Sequence, residues 1–108
     1  MSAKKKDKNR SENSQPEIVI IQRRIIFDED FREDLQWWYR QDVQKANKIL
    51  DLVESVCIDP FSGIGKPEPL KFMEANIWSR RIDLEHRLIY RVQNESIQFL
   101  QARYHYEN

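Results

Sequence analysis

Ile77-Trp78-Ser79-Arg80-Arg81-Ile82-Asp83 is followed by Leu84-Glu85 and then by His86-Arg87-Leu88-Ile89-Tyr90-Arg91-Val92, with Gln93-Asn94-Glu95 leading into Ser96 to Tyr104. Each run is rich in β-branched and aromatic residues, and the gaps between them are two and three residues long. Such gaps connect antiparallel strands, so the C-terminal third predicts a meander of three strands. Alternation then sorts the side chains. Trp78, Arg80 and Ile82 share one face with Leu88 and Tyr90, whereas Ser79, Arg81 and Asp83 share the other with Arg87, Ile89 and Arg91.

An apolar sheet face needs a cover, and the preceding sequence supplies one. Phe31, Leu35 and Trp38 fall at i, i+4 and i+7 behind Asp28, a residue suited to an N-cap. Asp42 can cap a second helix with the stripe Val43, Ala46, Ile49/Leu50, Val53 and Val56/Cys57, ended by Asp59-Pro60. Ile18 to Ile21, Ile25 and Ile26 read as one or two further strands within Glu17 to Phe27. The expected fold is therefore α+β, a small antiparallel sheet with an N-terminal helical hairpin packed on one face.

At 108 residues the chain fits one domain. Residues 1–17 are lysine-rich and polar, which predicts a disordered tail ahead of a domain over residues 18–108. The net charge is zero, but it is unevenly spread: six basic against three acidic over residues 1–23, five against nine over 24–59, and seven against six from residue 60 onward. Indiscriminate polyanion binding is not expected, so a basic site in the last part must come from clustering, with Arg80-Arg81 the evident cluster. A single cysteine, Cys57, excludes an internal disulfide, and its place in the helical stripe predicts a buried thiol in a reducing, cytoplasmic setting. No apolar run reaches signal-peptide or membrane-spanning length, so no membrane association is expected.

The segment from Pro60 to Leu70 holds three of the four prolines and both glycines, so it predicts a rigid, sharply turned loop. Glu68 stands in it between Pro67 and Pro69, either as a carboxylate held in a fixed place or as an ordinary loop residue. Arg81, Arg87 and Arg91 on the uncovered sheet face have the donor geometry to bind phosphate, though on pattern alone solvated cross-strand pairing with Asp83 and Glu85 is the better account of them. The chain closes with Arg103-Tyr104-His105-Tyr106, where His105 is a candidate proton donor and the tyrosines are candidate stacking surfaces. A strand end anchoring the terminus is the alternative. His86 reads as a supporting residue rather than a catalyst. Cys57, His86 and His105 lack metal-ligand spacing, and no phosphate-cradling glycine motif is present, so neither a metal nor a cofactor is expected.

Four blocks in order, Pro60-Phe61 through Gly65-Lys-Pro-Glu-Pro-Leu-Lys71, Trp78-Ser-Arg-Arg-Ile82, Glu85-His-Arg-Leu-Ile-Tyr90 and Arg103-Tyr-His-Tyr106, resemble the Txe/YoeB toxins. The resemblance spans about residues 25–106 and leaves out the N-terminal tail. It implies a RelE-like fold and a metal-independent endoribonuclease that cleaves mRNA in the ribosomal A site. Residue by residue, it implies Glu68 as general base, His105 as general acid, Arg87 as the group stabilising phosphate charge with help from Arg81 and Lys71, and Tyr106 as a substrate-positioning residue. It also implies a YefM/Axe-like antitoxin, with operator DNA reached only through the toxin–antitoxin complex. Glu107 and Asn108 depart from the pattern, since family members end at the tyrosine. A non-catalytic ribosome- or RNA-binding inhibitor of the same fold is the alternative function. An exposed β-branched edge over Ile18 to Ile21 would favour a homodimer or antitoxin pairing.

Overall fold

The structure, a computed structural model, describes residues 22–71 and 73–104. The expected tail, the Ile18 to Ile21 segment, His105 and Tyr106 lie outside the described residues. The chain runs β1 (Arg24–Phe27), α1 (Glu29–Gln41), α2 (Val43–Ile58), β2 (Glu68–Pro69), β3 (Ile77–Arg81), β4 (Arg87–Val92) and β5 (Ser96–Gln101). The five strands form one sheet in the order β1-β5-β4-β3-β2.

Both helices start and stop where their sequence dictates. Asp42 ends α1, its backbone N–H donating to the Trp38 carbonyl at 2.7 Å, and its carboxylate accepts from the N–H groups of Gln44 and Lys45 to open α2. The hairpin therefore turns on a single residue. Asp28 precedes α1 without a side-chain cap bond, because its carboxylate accepts from Gln98 Nε2 of β5 at 2.8 Å. Phe31 and Trp38 of α1 pack with Ala46, Ile49, Leu52, Val53 and Val56 of α2 onto Leu88, Tyr90, Val92, Ile97 and Phe99 of the sheet. Among the described residues, no helix is long and apolar enough to cross a membrane.

Four expectations change. The sheet is mixed rather than wholly antiparallel: β1 pairs parallel to β5, Arg24 opposite Ser96 through Phe27 opposite Phe99. Strand composition carries no direction, and this pairing joins segments some seventy residues apart in the sequence. Cys57 is exposed, because Leu52 and Val56 take the buried rotation of the α2 stripe and the next residue turns outward. Glu68 and Pro69 form a short edge strand against Ser79 and Trp78, a place where the missing proline N–H costs no ladder bond. Arg80, read as half of a basic cluster, is fully buried.

Arg80 lies on the helix-covered face because β3 alternates. Its Nη1 donates to Ser55 Oγ at 2.7 Å and the Ile64 carbonyl at 3.0 Å, its Nη2 to the carbonyls of Asp59 at 2.7 Å and Ser62 at 2.8 Å, and its Nε to Tyr90 Oη at 3.1 Å. The loop closing α2 is thus wound around a guanidinium, at the helix end that favours a cation. Gly63 and Gly65 permit this with φ of 122° and 86°, and a Cβ on Gly63 would collide with Ser55 Oγ and Arg80 Nη1.

Candidate active site

The helices cover one sheet face, and the register determines what gathers on the other, where Ser79, Ile77 and Ile89 are buried and Glu68 and Arg81 reach solvent. Glu68 is opposite Ser79, Ser79 is opposite Ile89, and Arg81 is opposite Arg87. Residues opposed across a sheet point the same way, so Glu68, Arg81 and Arg87 share the open face. With strands about 4.8 Å apart and a rise of about 3.3 Å per residue, Glu68 lies on the order of 8 Å from Arg81 and 12 Å from Arg87 between Cα atoms. A small apolar floor of Leu70, Ile77 and Ile89, with Leu100 against it, supports the site from beside β3. Lys71 stands in the exposed turn after β2, three residues beyond Glu68.

Two like charges directly opposite on neighbouring strands oppose folding. Arg81 opposite Arg87 is such a pair, and it makes the face ready for an anion that accepts from both. Arg81 is exposed, with its backbone N–H held by the Gly65 carbonyl at 2.7 Å. Arg87 is half-buried and steadied, its Nη1 donating to the carbonyls of Asp83 at 2.8 Å and His86 at 3.1 Å. Arg91, expected to join them, is committed elsewhere: it bonds Glu74 at 2.7 Å and Gln98 at 2.9 Å. Four residues along β4 from Arg87, it marks the far end of the face.

The turn that carries Arg87 is tied to α2. Lys45 Nζ lies 2.9 Å from Asp83 Oδ2, and Asp83 Oδ1 accepts from the N–H groups of Glu85 at 2.9 Å and His86 at 2.7 Å. Burial pushes the Asp83 carboxyl up, but the Lys45 ammonium and the two N–H donors outweigh it, so its pKa is lowered. An ionised Asp83 therefore holds the turn closed.

The chain leaving β5 is gripped from two sides. A bulge shifts the register so that Ile89 opposes Gln101 and Tyr90 opposes Phe99, which turns Ala102 into the core. From α1, Asp34 Oδ2 accepts from the Ala102 N–H at 2.9 Å, and Trp38 Nε1 donates to the Ala102 carbonyl at 2.7 Å. From β4, the Arg87 N–H donates to the Tyr104 carbonyl at 2.8 Å, and His86 Nδ1 accepts from the Tyr104 N–H at 2.7 Å. That last bond places the His86 ring proton on Nε2. Arg103 lies over the Trp37 ring, 3.8 Å from its centroid, with Nη2 2.9 Å from Tyr104 Oη. Trp37, Glu85, His86, Arg103 and Tyr104 line an open cleft of about 400 Å³.

The structure thus brings Glu68, Arg81 and Arg87 to one face, with Lys71 in the turn beyond β2, while His105 and Tyr106 lie outside the described residues. It adds Asp34 and Trp38, which the apolar periodicity of α1 concealed. Their spacing of i and i+4 was the available signal, since it puts a carboxylate and an indole N–H on one helix face. Among the described residues, no three His, Cys, Asp or Glu side chains come together as a metal site.

Comparison with known proteins identifies the family and the fold. The family model described as YoeB-like toxin of bacterial type II toxin-antitoxin system matches residues 27–106. Toxin YoeB of Mycobacterium bovis is 49% identical over 84 residues, covering 78% of this chain and 99% of that protein. The structure of a YoeB/ParE toxin from Agrobacterium tumefaciens superposes with a TM-score of 0.72 at 39% identity, covering 77% of this chain and 99% of that one. YoeB in the YoeB–YefM complex from Staphylococcus aureus gives a TM-score of 0.67 at 35% identity, with 78% and 98% covered. The two helices on a five-stranded sheet are accordingly a RelE-like α+β fold, and the chain belongs to the YoeB-like toxin family of bacterial type II toxin–antitoxin systems.

Proposed function

We propose that this toxin is a metal-independent endoribonuclease that cleaves mRNA in the ribosomal A site and so stops translation in the cytoplasm. The observation that carries the reading is the opposed pair Arg81 and Arg87 beside Glu68 on an open sheet face. Glu68 accepts the proton of the ribose 2′-hydroxyl, and the 2′-oxygen attacks phosphorus. Charge that builds on the phosphoryl oxygens is met by Arg87, with Arg81 and Lys71. As the bond from phosphorus to the 5′-oxygen breaks, His105 gives that oxygen a proton, leaving a 2′,3′-cyclic phosphate and a 5′-hydroxyl. Tyr106 positions the substrate against a base. Glu68 and Arg87 are on the order of 12 Å apart between Cα atoms, and the ribosome's orientation of the message supplies the proximity that the reaction needs.

The partner that restrains this activity is a YefM/Axe-like antitoxin, by analogy with the Staphylococcus aureus toxin that is seen with YefM. Operator DNA is reached only through that complex, since neither helix presents a basic recognition surface.

Primer-extension mapping of an mRNA on translating ribosomes tests the reading, with the intact protein beside Glu68→Gln and His105→Gln. Cuts confined to A-site codons and lost in both variants are expected. Translation that stops without any cuts would instead identify a non-catalytic ribosome-binding inhibitor.

A further inference from the structure

Four hydrogen bonds hold the three residues before His105, and they satisfy every backbone donor and acceptor of Ala102 and Tyr104. The groups supplying them come from opposite sides: Asp34 and Trp38 from the helix layer, His86 and Arg87 from the start of β4. Such a clamp exceeds what strand pairing would require. A ladder would have used one neighbour, whereas here two side chains of α1 replace it at Ala102 and an imidazole replaces it at Tyr104. The Trp38 indole also meets the His86 ring edge-on at 4.9 Å, so the two halves of the clamp brace each other. The α1 half ends at Ala102, three residues before the residue that the proposed mechanism uses as its acid, and the β4 half ends at Tyr104, immediately before it.

We infer that Asp34, Trp38 and His86 are positioning residues for the acid step: they hold the backbone of Ala102 to Tyr104 so that His105 meets the leaving 5′-oxygen. This inference rests on the proposed role of His105. None of the three touches the reacting atoms. Asp34 and His86 act through backbone N–H groups, and Trp38 acts through a carbonyl. Positioning matters here because a displacement of about 1 Å at a reacting group can lower a rate about a hundredfold.

The test uses a message on programmed ribosomes whose A-site linkage carries sulfur in place of the bridging 5′-oxygen. A thiolate leaves without a proton, so a defect confined to the acid step disappears on this substrate, and a general structural defect remains. Asp34→Leu removes the acceptor for Ala102, and His86→Gln moves the acceptor away from Tyr104. Each should slow single-turnover cleavage of the ordinary linkage by about ten- to a hundredfold, yet cleave the sulfur linkage at nearly the parent rate. Asp34→Asn and His86→Asn keep an acceptor oxygen in place and should recover most of the ordinary rate. Recovery by His86→Asn also shows that His86 is not itself the acid, since an amide gives up no proton near neutral pH.

Loss on both linkages, or no loss on the ordinary one, would overturn the inference. His105→Gln in the same series separates the two readings. If it fails to recover on sulfur, the acid assignment falls. If it recovers while Asp34→Leu and His86→Gln do not, the positioning inference falls alone.

Discussion

Arg80 and Arg81 are adjacent in the sequence and carry the same charge, yet they are opposite in burial and in partners. Arg80 is fully buried under the helices, with five donated hydrogen bonds and no room for a ligand. Arg81 is exposed and faces another arginine. One residue of strand alternation thus separates a cation that holds a loop in place from a cation available to a phosphate. Charge alone says little about role, and what surrounds the charge says most of it.

Substitution should expose that contrast. Arg80→Met leaves the acceptors of Ser55, Asp59, Ser62, Ile64 and Tyr90 without their donor. It should cost about 3–5 kcal/mol or prevent folding, as read from urea unfolding. Gly63→Ala forces a left-handed backbone and a collision with Ser55 and Arg80, so a loss of about 1–3 kcal/mol is expected in the same assay. Acid should weaken the fold next. Asp59, lowered mainly by the Phe61 N–H and then by the Ser62 hydroxyl, and Asp83 both have depressed pKa values. Their contribution is present above the unfolded carboxylate value of about 3.9 and is lost as pH falls through their folded values. Unfolding midpoints should therefore drop over that acidic window, less steeply in Asp59→Asn.

Asp34 has the reverse sign. Burial raises its pKa despite the Ala102 N–H and Arg103, so its contribution is fully present below the unfolded value and is lost as pH rises through the folded one. The melting temperature of Asp34→Asn should improve relative to the parent across that rise. Smallest of all, Arg81→Gln should change stability by less than about 0.5 kcal/mol, with any change a gain, because it relieves the repulsion with Arg87. A large loss there would mean that Arg81 is a structural residue like its neighbour.

Local pattern made most of the fold legible. The stripes of Phe31 to Trp38 and Ala46 to Val56, the cap at Asp42 and the two short gaps in the meander appear where periodicity and turn chemistry put them, whereas Asp28 stands at the start of α1 with its carboxylate given to Gln98 instead of the helix. The face was legible in part, because alternation alone puts Arg81 and Arg87 on the side away from Trp78, while their direct opposition came from the register and Arg91, expected with them, is bound to Glu74 and Gln98. What escaped was non-local. The direction of β1 depends on a partner across the chain, and the burial of Arg80 depends on carbonyls of a loop some twenty residues earlier. Glu68 could be seen to be held, but its membership of the sheet came from pairing with Ser79. The clamp on Ala102 and Tyr104 was hidden because Asp34 and Trp38 meet the C-terminal segment only in three dimensions.

The central claim is that the open face performs the cleavage, and Arg87→Gln tests it most directly. Single-turnover cleavage of an A-site codon on programmed ribosomes should slow about a hundred- to a thousandfold, while thermal melting of the same preparation stays near that of the parent. Cleavage at the parent rate by a folded Arg87→Gln protein would contradict the claim and move the reaction off this face.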